Sequence, residues 1–236
     1  MQLAIDTSTE TTSIALFSEG EVQAELTWHS QMNQTAELLP NIVHLLKQAR
    51  IGLQDITGII IAKGPGSFNG LRVGMSTAKG LALALGVPLV GISTLETEAF
   101  QHAHIARPIC PIFNAGRGEI ATALYQKHRG QWQQLIGEHI TTIEELCPQI
   151  KKSTIFCGNI PPPVAHLLVE RLGRRAIILG GAINLRRAGF LAELGWYKLS
   201  RGDCEDIATL QPLYLRRPSI TLSKKNLLGG QSNTRR

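Results

Sequence analysis

The same order of apolar runs occurs twice in this 236-residue chain, and that repetition limits the folds open to it. Residues 3–17 read as a strand, a Thr/Ser turn and a second strand, and residues 22–28 as a third. From 35 to 49, Leu38, Leu39, Ile42, Val43, Leu45, Leu46 and Ala49 keep the spacing of an amphipathic helix. A strand at 59–62, a helix at 70–85, a strand at 88–92 and a helix at 95–103 follow. The scheme then restarts with strands at 109–113, 120–125 and 132–136 and a short helix at 143–150. A strand at 155–157, a helix at 164–172, an apolar run at 176–179 and a helix at 185–199 complete it. Two α/β subdomains are expected, each a mixed sheet with helices. Their boundary is expected near 103–107, giving units of 1–104 and 105–215, with the last helix returning to pack on the first unit. A tail of 216–236 follows.

Between the apolar run Gly58-Ile59-Ile60-Ile61-Ala62 and the helix after it lies Gly64-Pro65-Gly66-Ser67-Phe68-Asn69-Gly70-Leu71-Arg72-Val73-Gly74. Glycine lets a backbone take positive φ and lets another chain or an anion come close. This is not a P-loop, because Lys63 precedes the glycines and no Gly-Lys-Ser/Thr closes them.

The string as a whole resembles the hallmark of the bacterial TsaB (YeaZ) family, whose members help make threonylcarbamoyladenosine in tRNA. Other segments are similar to that family too: Ala4-Ile5-Asp6-Thr7, Gln34-Thr35-Ala36-Glu37-Leu38-Leu39-Pro40, Gly91-Ile92-Ser93-Thr94-Leu95, Asn114-Ala115-Gly116-Arg117-Gly118-Glu119-Ile120 and Pro212-Leu213-Tyr214-Leu215-Arg216. Gln34 stands where the family commonly has His, and Asn114 where it commonly has Asp. Each swap removes an ionisable group. The resemblance implies the actin/Hsp70/sugar-kinase (ribonuclease H-like) architecture that the repeated pattern already points to.

Charge, once located, is informative. The chain holds 24 Lys and Arg against 18 Asp and Glu. Arg216, Arg217, Lys224, Lys225, Arg235 and Arg236 lie in the last 21 residues, which hold no acid; removing those six leaves 18 against 18. The body is neutral and the basicity belongs to the tail, so no nucleic-acid surface is expected on the fold itself. The tail reads as a flexible extension, with an electrostatic contact to tRNA as the sharper alternative. The longest apolar stretch, 81–92, is broken by Gly86, Pro88 and Gly91 and is too short for a bilayer span. No signal-peptide pattern opens the chain. Cys110, Cys147, Cys157 and Cys204 show no Cys-x-x-Cys spacing and read as buried reduced thiols. A cytoplasmic protein without a membrane partner is expected.

Candidate chemistry is sparse. Asp6 ends the first strand, where nucleotide-binding relatives hold phosphates and their metal, and it is the one cofactor-binding candidate. The favoured reading is that it caps the Thr7-Ser8-Thr9 turn, because Asn114 supplies no second acid for magnesium. Ser67 lacks a base and is expected to bond a backbone amide. No His-x-x-x-His pair exists, and His102 and His104 read as a solvated or helix-terminal pair. No catalytic residue, metal ligand set or cofactor of the chain's own is expected.

Gly66, Gly70, Gly74, Ala78, Ala82 and Gly86 recur every fourth residue and form a small-residue stripe along one helix, flanked by Leu71 and Met75. Helical glycine costs about 1 kcal/mol relative to Ala, so a close helix–helix contact is the favoured reading. Packing against the chain's own sheet is the alternative. Gly70, Leu71, Gly74, Met75, Ala78 and Ala82 are thus expected at a partner interface. The family resemblance implies a non-catalytic subunit of the threonylcarbamoyl transferase complex. It would bind and activate TsaD, help recruit TsaE, and pair with a second copy when TsaD is absent. ATP and magnesium would be used by the complex, and tRNA reached through it. The rival is an ATP-dependent small-molecule kinase or a glycoprotease-like hydrolase of the same superfamily.

Overall fold

Residues 1–31 and 33–216 are described by a computed structural model of the chain. The expectations for the basic tail fall, from residue 217 onward, outside these described residues. Strands β1 (Gln2–Asp6), β2 (Thr11–Ser18), β3 (Glu21–His29), β4 (Gly58–Ala62) and β5 (Leu89–Ile92) form one sheet in the order β3-β2-β1-β4-β5. Strands β6 (Ile109–Gly116), β7 (Glu119–His128), β8 (Gln131–Thr141), β9 (Thr154–Gly158) and β10 (Ala176–Ile178) form a second, in the order β10-β9-β6-β7-β8. Read from the opposite edge, this is the order of the first. In each sheet the leading strand pairs antiparallel with its hairpin partner and parallel with the strand that follows a helix. This is the duplicated actin/Hsp70-like architecture.

Period-two alternation assigns the faces of the first sheet. Leu3, Ile5, Ile14, Leu16, Ile59 and Ile61 point to one side, where helices α1 (Gln34–Ala49) and α2 (Phe68–Leu85) contribute Leu38, Ile42, Leu45, Met75, Ala78 and Ala82. Ala4, Ala15, Ile60, Ala62, Val90 and Ile92 point to the other, under Ala188, Leu191 and Ala192 of α6 (Ala188–Leu199). In the second sheet one face packs on α4 (Ile143–Leu146) and α5 (Pro162–Leu172). The other receives Leu95 and Ala99 of α3 (Thr94–Phe100). The two halves therefore exchange helices: α3, from the first, covers the second sheet, and α6, from beyond the second, covers the first.

Two elements differ from expectation for local reasons. The helix expected over 143–150 splits into α4 and a 3-10 turn at Cys147–Gln149. Pro148 has no N–H to donate to the carbonyl four residues back. The helix expected from 185 starts only at Ala188, because Asn184, Arg186 and Arg187 are claimed by tertiary partners. Asn184 pairs with the Gly158 backbone, and Arg187 donates to Glu25. The first amides of α6 are then capped from across the chain: Ala188 N–H donates to Ser13 Oγ at 2.9 Å and Gly189 N–H to Glu25 Oε1 at 2.8 Å.

The small-residue stripe faces inward. Gly70, Leu71, Gly74, Met75, Ala78 and Ala82 are all buried, against the chain's own sheet and the β1–β2 turn. A Cβ at Gly66 would run into the Ser8 carbonyl, one at Gly70 into the Thr7 carbonyl, and one at Gly74 into the Thr7 hydroxyl. The turn is bonded to the same helix: Thr7 Oγ1 donates to the Gly70 carbonyl at 2.7 Å, and Ser67 N–H to the Ser8 carbonyl at 2.7 Å. The glycines admit the chain's own hairpin. This corrects the reading of those six residues as a surface offered to a partner.

Gly74→Ala should therefore destabilise the protein by about 1–3 kcal/mol through overpacking. Gly80→Ala, on the exposed side of the same helix with open space around it, should stabilise by about 0.5–1 kcal/mol. Urea unfolding of the two variants checks this. A Gly74→Ala protein as stable as the parent would put the stripe on the outside.

Candidate functional site

The parallel strands of both sheets end at a cleft of about 510 Å³. The β1–β2 turn (Ser8 and Thr9), Gly66 and Ser67 line it from the first half; Phe113, Asn114 and Gly158 line it from the second. In a nucleotide-binding member of this architecture the carboxylate at the end of β1 would sit at this position. Asp6 is there, 1% exposed, and it is already engaged. Its Oδ1 accepts from Ser8 N–H at 2.9 Å and Ser8 Oγ at 2.6 Å, the turn-capping role expected of it. Its Oδ2 accepts from Arg186 Nε at 2.6 Å, a partner the sequence reading missed.

Arg186 is the centre of the cleft floor. One terminal nitrogen donates to Ser8 Oγ and Thr9 Oγ1, each at 3.0 Å, and the other reaches Glu98 Oε2 at 3.4 Å. Glu98 in turn accepts from Gln101 Nε2 at 2.8 Å. Arg186, Asp6 and Glu98 are all buried. Burial opposes the charge of Arg186, yet the facing Asp6 and Glu98 carboxylates hold its pKa above the ordinary value. Burial pushes Glu98 up to about 7 against the pull of Arg186, with the Asp6 charge adding to the rise. The signal for Arg186 lay in the sequence as an arginine pair abutting an apolar helix, but nothing local says which of two arginines turns inward.

The remaining candidates are distributed around this floor. Asn114 lines the cleft, and its Oδ1 accepts from Gly116 N–H at 2.8 Å, closing its own turn. Gln34 is buried and donates to the Thr9 carbonyl at 3.3 Å. Ser67 caps α2 by accepting from Gly70 N–H at 3.3 Å, as expected. The pairing of His102 with His104 as a solvated unit is corrected: His102 is buried, and burial, with His104 nearby, lowers its pKa to about 4, so its imidazole is neutral. Cys110, Cys147 and Cys157 are buried free thiols, whereas Cys204 is exposed, against expectation.

Magnesium nucleotide, the ligand this architecture implies, does not fit these residues. Asp6 is ion-paired, Asn114 is neutral, and the guanidinium stands where a cation would have to come.

The C-terminal segment ties the glycine loop to the second half. Leu213 N–H donates to the Lys63 carbonyl at 2.6 Å, Tyr214 packs on Phe68, and Arg216 pairs with Glu119. Among the described residues no helix is long and apolar enough to cross a membrane.

Fold and cleft together define an actin-like two-lobed protein with an ion pair at the floor of its cleft. Comparison with known proteins supports the same fold. Residues 29–190 match the family model described as TsaD, tRNA N6-adenosine threonylcarbamoyltransferase. The chain is 34% identical over 217 residues to the tRNA threonylcarbamoyladenosine biosynthesis protein TsaB of Bacillus subtilis, covering 91% of this chain and 93% of that one. Identity to TsaB of Escherichia coli is 37% over 222 residues, covering 91% and 94%. The solved structure of YeaZ from Pseudomonas aeruginosa superposes with a TM-score of 0.76 at 27% identity, covering 91% of this chain and 99% of that one. The chain belongs to the TsaB (YeaZ) family, within the wider TsaD-like group.

The ion pair can be tested directly. Asp6→Asn should destabilise the fold by about 3–5 kcal/mol, because it leaves the buried guanidinium without its strongest partner. The double variant Asp6→Asn, Arg186→Met should recover much of that loss in urea unfolding. Additive losses would mean that the two residues do not act as a pair.

Proposed function

We propose that this protein is a non-catalytic partner subunit in tRNA threonylcarbamoyladenosine formation, binding and activating TsaD in the cytoplasm and helping to recruit TsaE. The observation that carries the reading is the state of Asp6: the acid that would serve magnesium in this architecture is bound to Arg186 at 2.6 Å. The function of such a chain then lies in its surfaces. ATP and magnesium are the complex's and not this chain's, and tRNA is reached through the complex.

The surface that suits TsaD is the outer side of the α1–α2 pair. With the small-residue stripe turned inward, these helices present Leu39, Val43, Phe68 and Leu83 to solvent, Leu83 being 67% exposed. Asn69, Arg72 and Ser76 of α2 are exposed on the same side. Apolar anchors with polar residues around them are the composition of a protein-binding face. TsaD belongs to the same family group, so its own first half offers a like helix pair, and two such pairs can pack as one four-helix contact. In the absence of TsaD a second copy fits the same face.

Leu39→Glu and Leu83→Glu should each weaken TsaD binding about 30-fold or more, the effect of losing a central anchor, while leaving the melting temperature within about 2 °C. Binding to immobilised TsaD and thermal unfolding measure the two. Unchanged binding by the Leu39→Glu, Leu83→Glu double variant would remove this face from the interface. Millimolar ATP with magnesium should not raise the melting temperature of the isolated protein. A clear rise by mass action would favour the kinase reading instead.

A further inference from the structure

Behind the cleft floor, the two halves meet at Glu98, His102 and Cys157. One carboxylate oxygen, one imidazole nitrogen and the Cys157 sulfur all lie within 4.8 Å of one another, and all three residues are buried. We infer that Glu98, His102 and Cys157 form a binding site for a thiophilic divalent cation, zinc by its ligand chemistry, that joins the first half of the fold to the second.

Three observations support the assignment. The donor set is of the carboxylate, imidazole and thiolate kind that zinc takes, with three protein ligands leaving one tetrahedral position for water. Glu98 and His102 stand four residues apart, Glu98 in α3 and His102 in the turn that prolongs it, where His102 N–H still donates to the Ala99 carbonyl at 3.0 Å. That spacing puts both side chains on one face. His102 Nε2 is buried without a hydrogen-bond partner, although the residue is only 3% exposed. A buried polar atom left unpaired is costly, and a metal ligand has a reason to be so.

Binding converts the Cys157 thiol to a thiolate and releases its proton to solvent, while the imidazole enters neutral. Once bound, the ion links α3 to β9 across the seam between the halves, a structural role independent of the TsaD contact proposed above.

The test uses the purified full-length protein, stripped with chelator and titrated with cobalt(II) as a spectroscopic stand-in and with zinc. The expected result is one ion per chain and a thiolate-to-cobalt charge-transfer band. That band should vanish in Cys157→Ala and persist in Cys204→Ala, which removes the exposed thiol. Zinc at 100 times its Kd should raise the melting temperature of the parent by about 5–10 °C. His102→Gln should keep the thiolate band but weaken binding about tenfold or more. Absence of a charge-transfer band in the parent, or a band that survives Cys157→Ala or is lost in Cys204→Ala, overturns the site. Because the parent protein alone can give the negative result, an unfolded variant does not shield the inference.

Discussion

The bond between Asp6 and Arg186 joins residues 180 positions apart, and much of the architecture is arranged around it. Asp6 ends the central strand of the first sheet and Arg186 precedes the last helix, so the pair fixes where the chain re-enters the first half. A guanidinium this deeply buried needs compensation for its lost hydration, and it finds two carboxylates and two hydroxyls. The compensation is reciprocal. Asp6, at 1% exposure, is matched by that guanidinium and by the Ser8 N–H and hydroxyl.

That bond works together with the exchange of helices. Because α3 covers the second sheet and α6 the first, each half completes its core with an element drawn from across the boundary. Motion of one lobe against the other would have to strip Arg186, held with Asp6 at the first sheet, from Glu98 of α3, which packs on the second. The fold thus favours a fixed relation between its halves, which suits a subunit that presents a surface better than one that must cycle. Neither the helix exchange nor the ion pair touches the outer side of α1 and α2, so that face can vary with its partner at little cost to the core.

The glycine-rich helix shows how a correct pattern can acquire the wrong meaning. Gly66, Gly70 and Gly74 do mark a place where something approaches closely. What approaches is the Thr7-Ser8 turn, held by the bond from Thr7 Oγ1 to the Gly70 carbonyl. A helical glycine costs about 1 kcal/mol, and close hairpin packing at the end of β1 offsets that cost as well as a second helix would. Seen from the helix alone, the two neighbours ask for the same residues.

The strands, the strand–glycine loop–helix unit and the twice-repeated succession of elements were legible in the sequence, because alternation with period 2 or 3.6 depends only on neighbours along the chain. The turn-capping roles of Asp6 and Ser67 were legible for the same reason: their partners lie two and three residues away. Tertiary structure alone decided which of Arg186 and Arg187 turns inward, where α6 begins, why His102 is neutral, and that Glu98 and Cys157 meet. These depend on burial or on groups far along the chain, 180 residues for Asp6 and Arg186 and 59 for Glu98 and Cys157, and periodicity says which residues share a face but not what that face will meet.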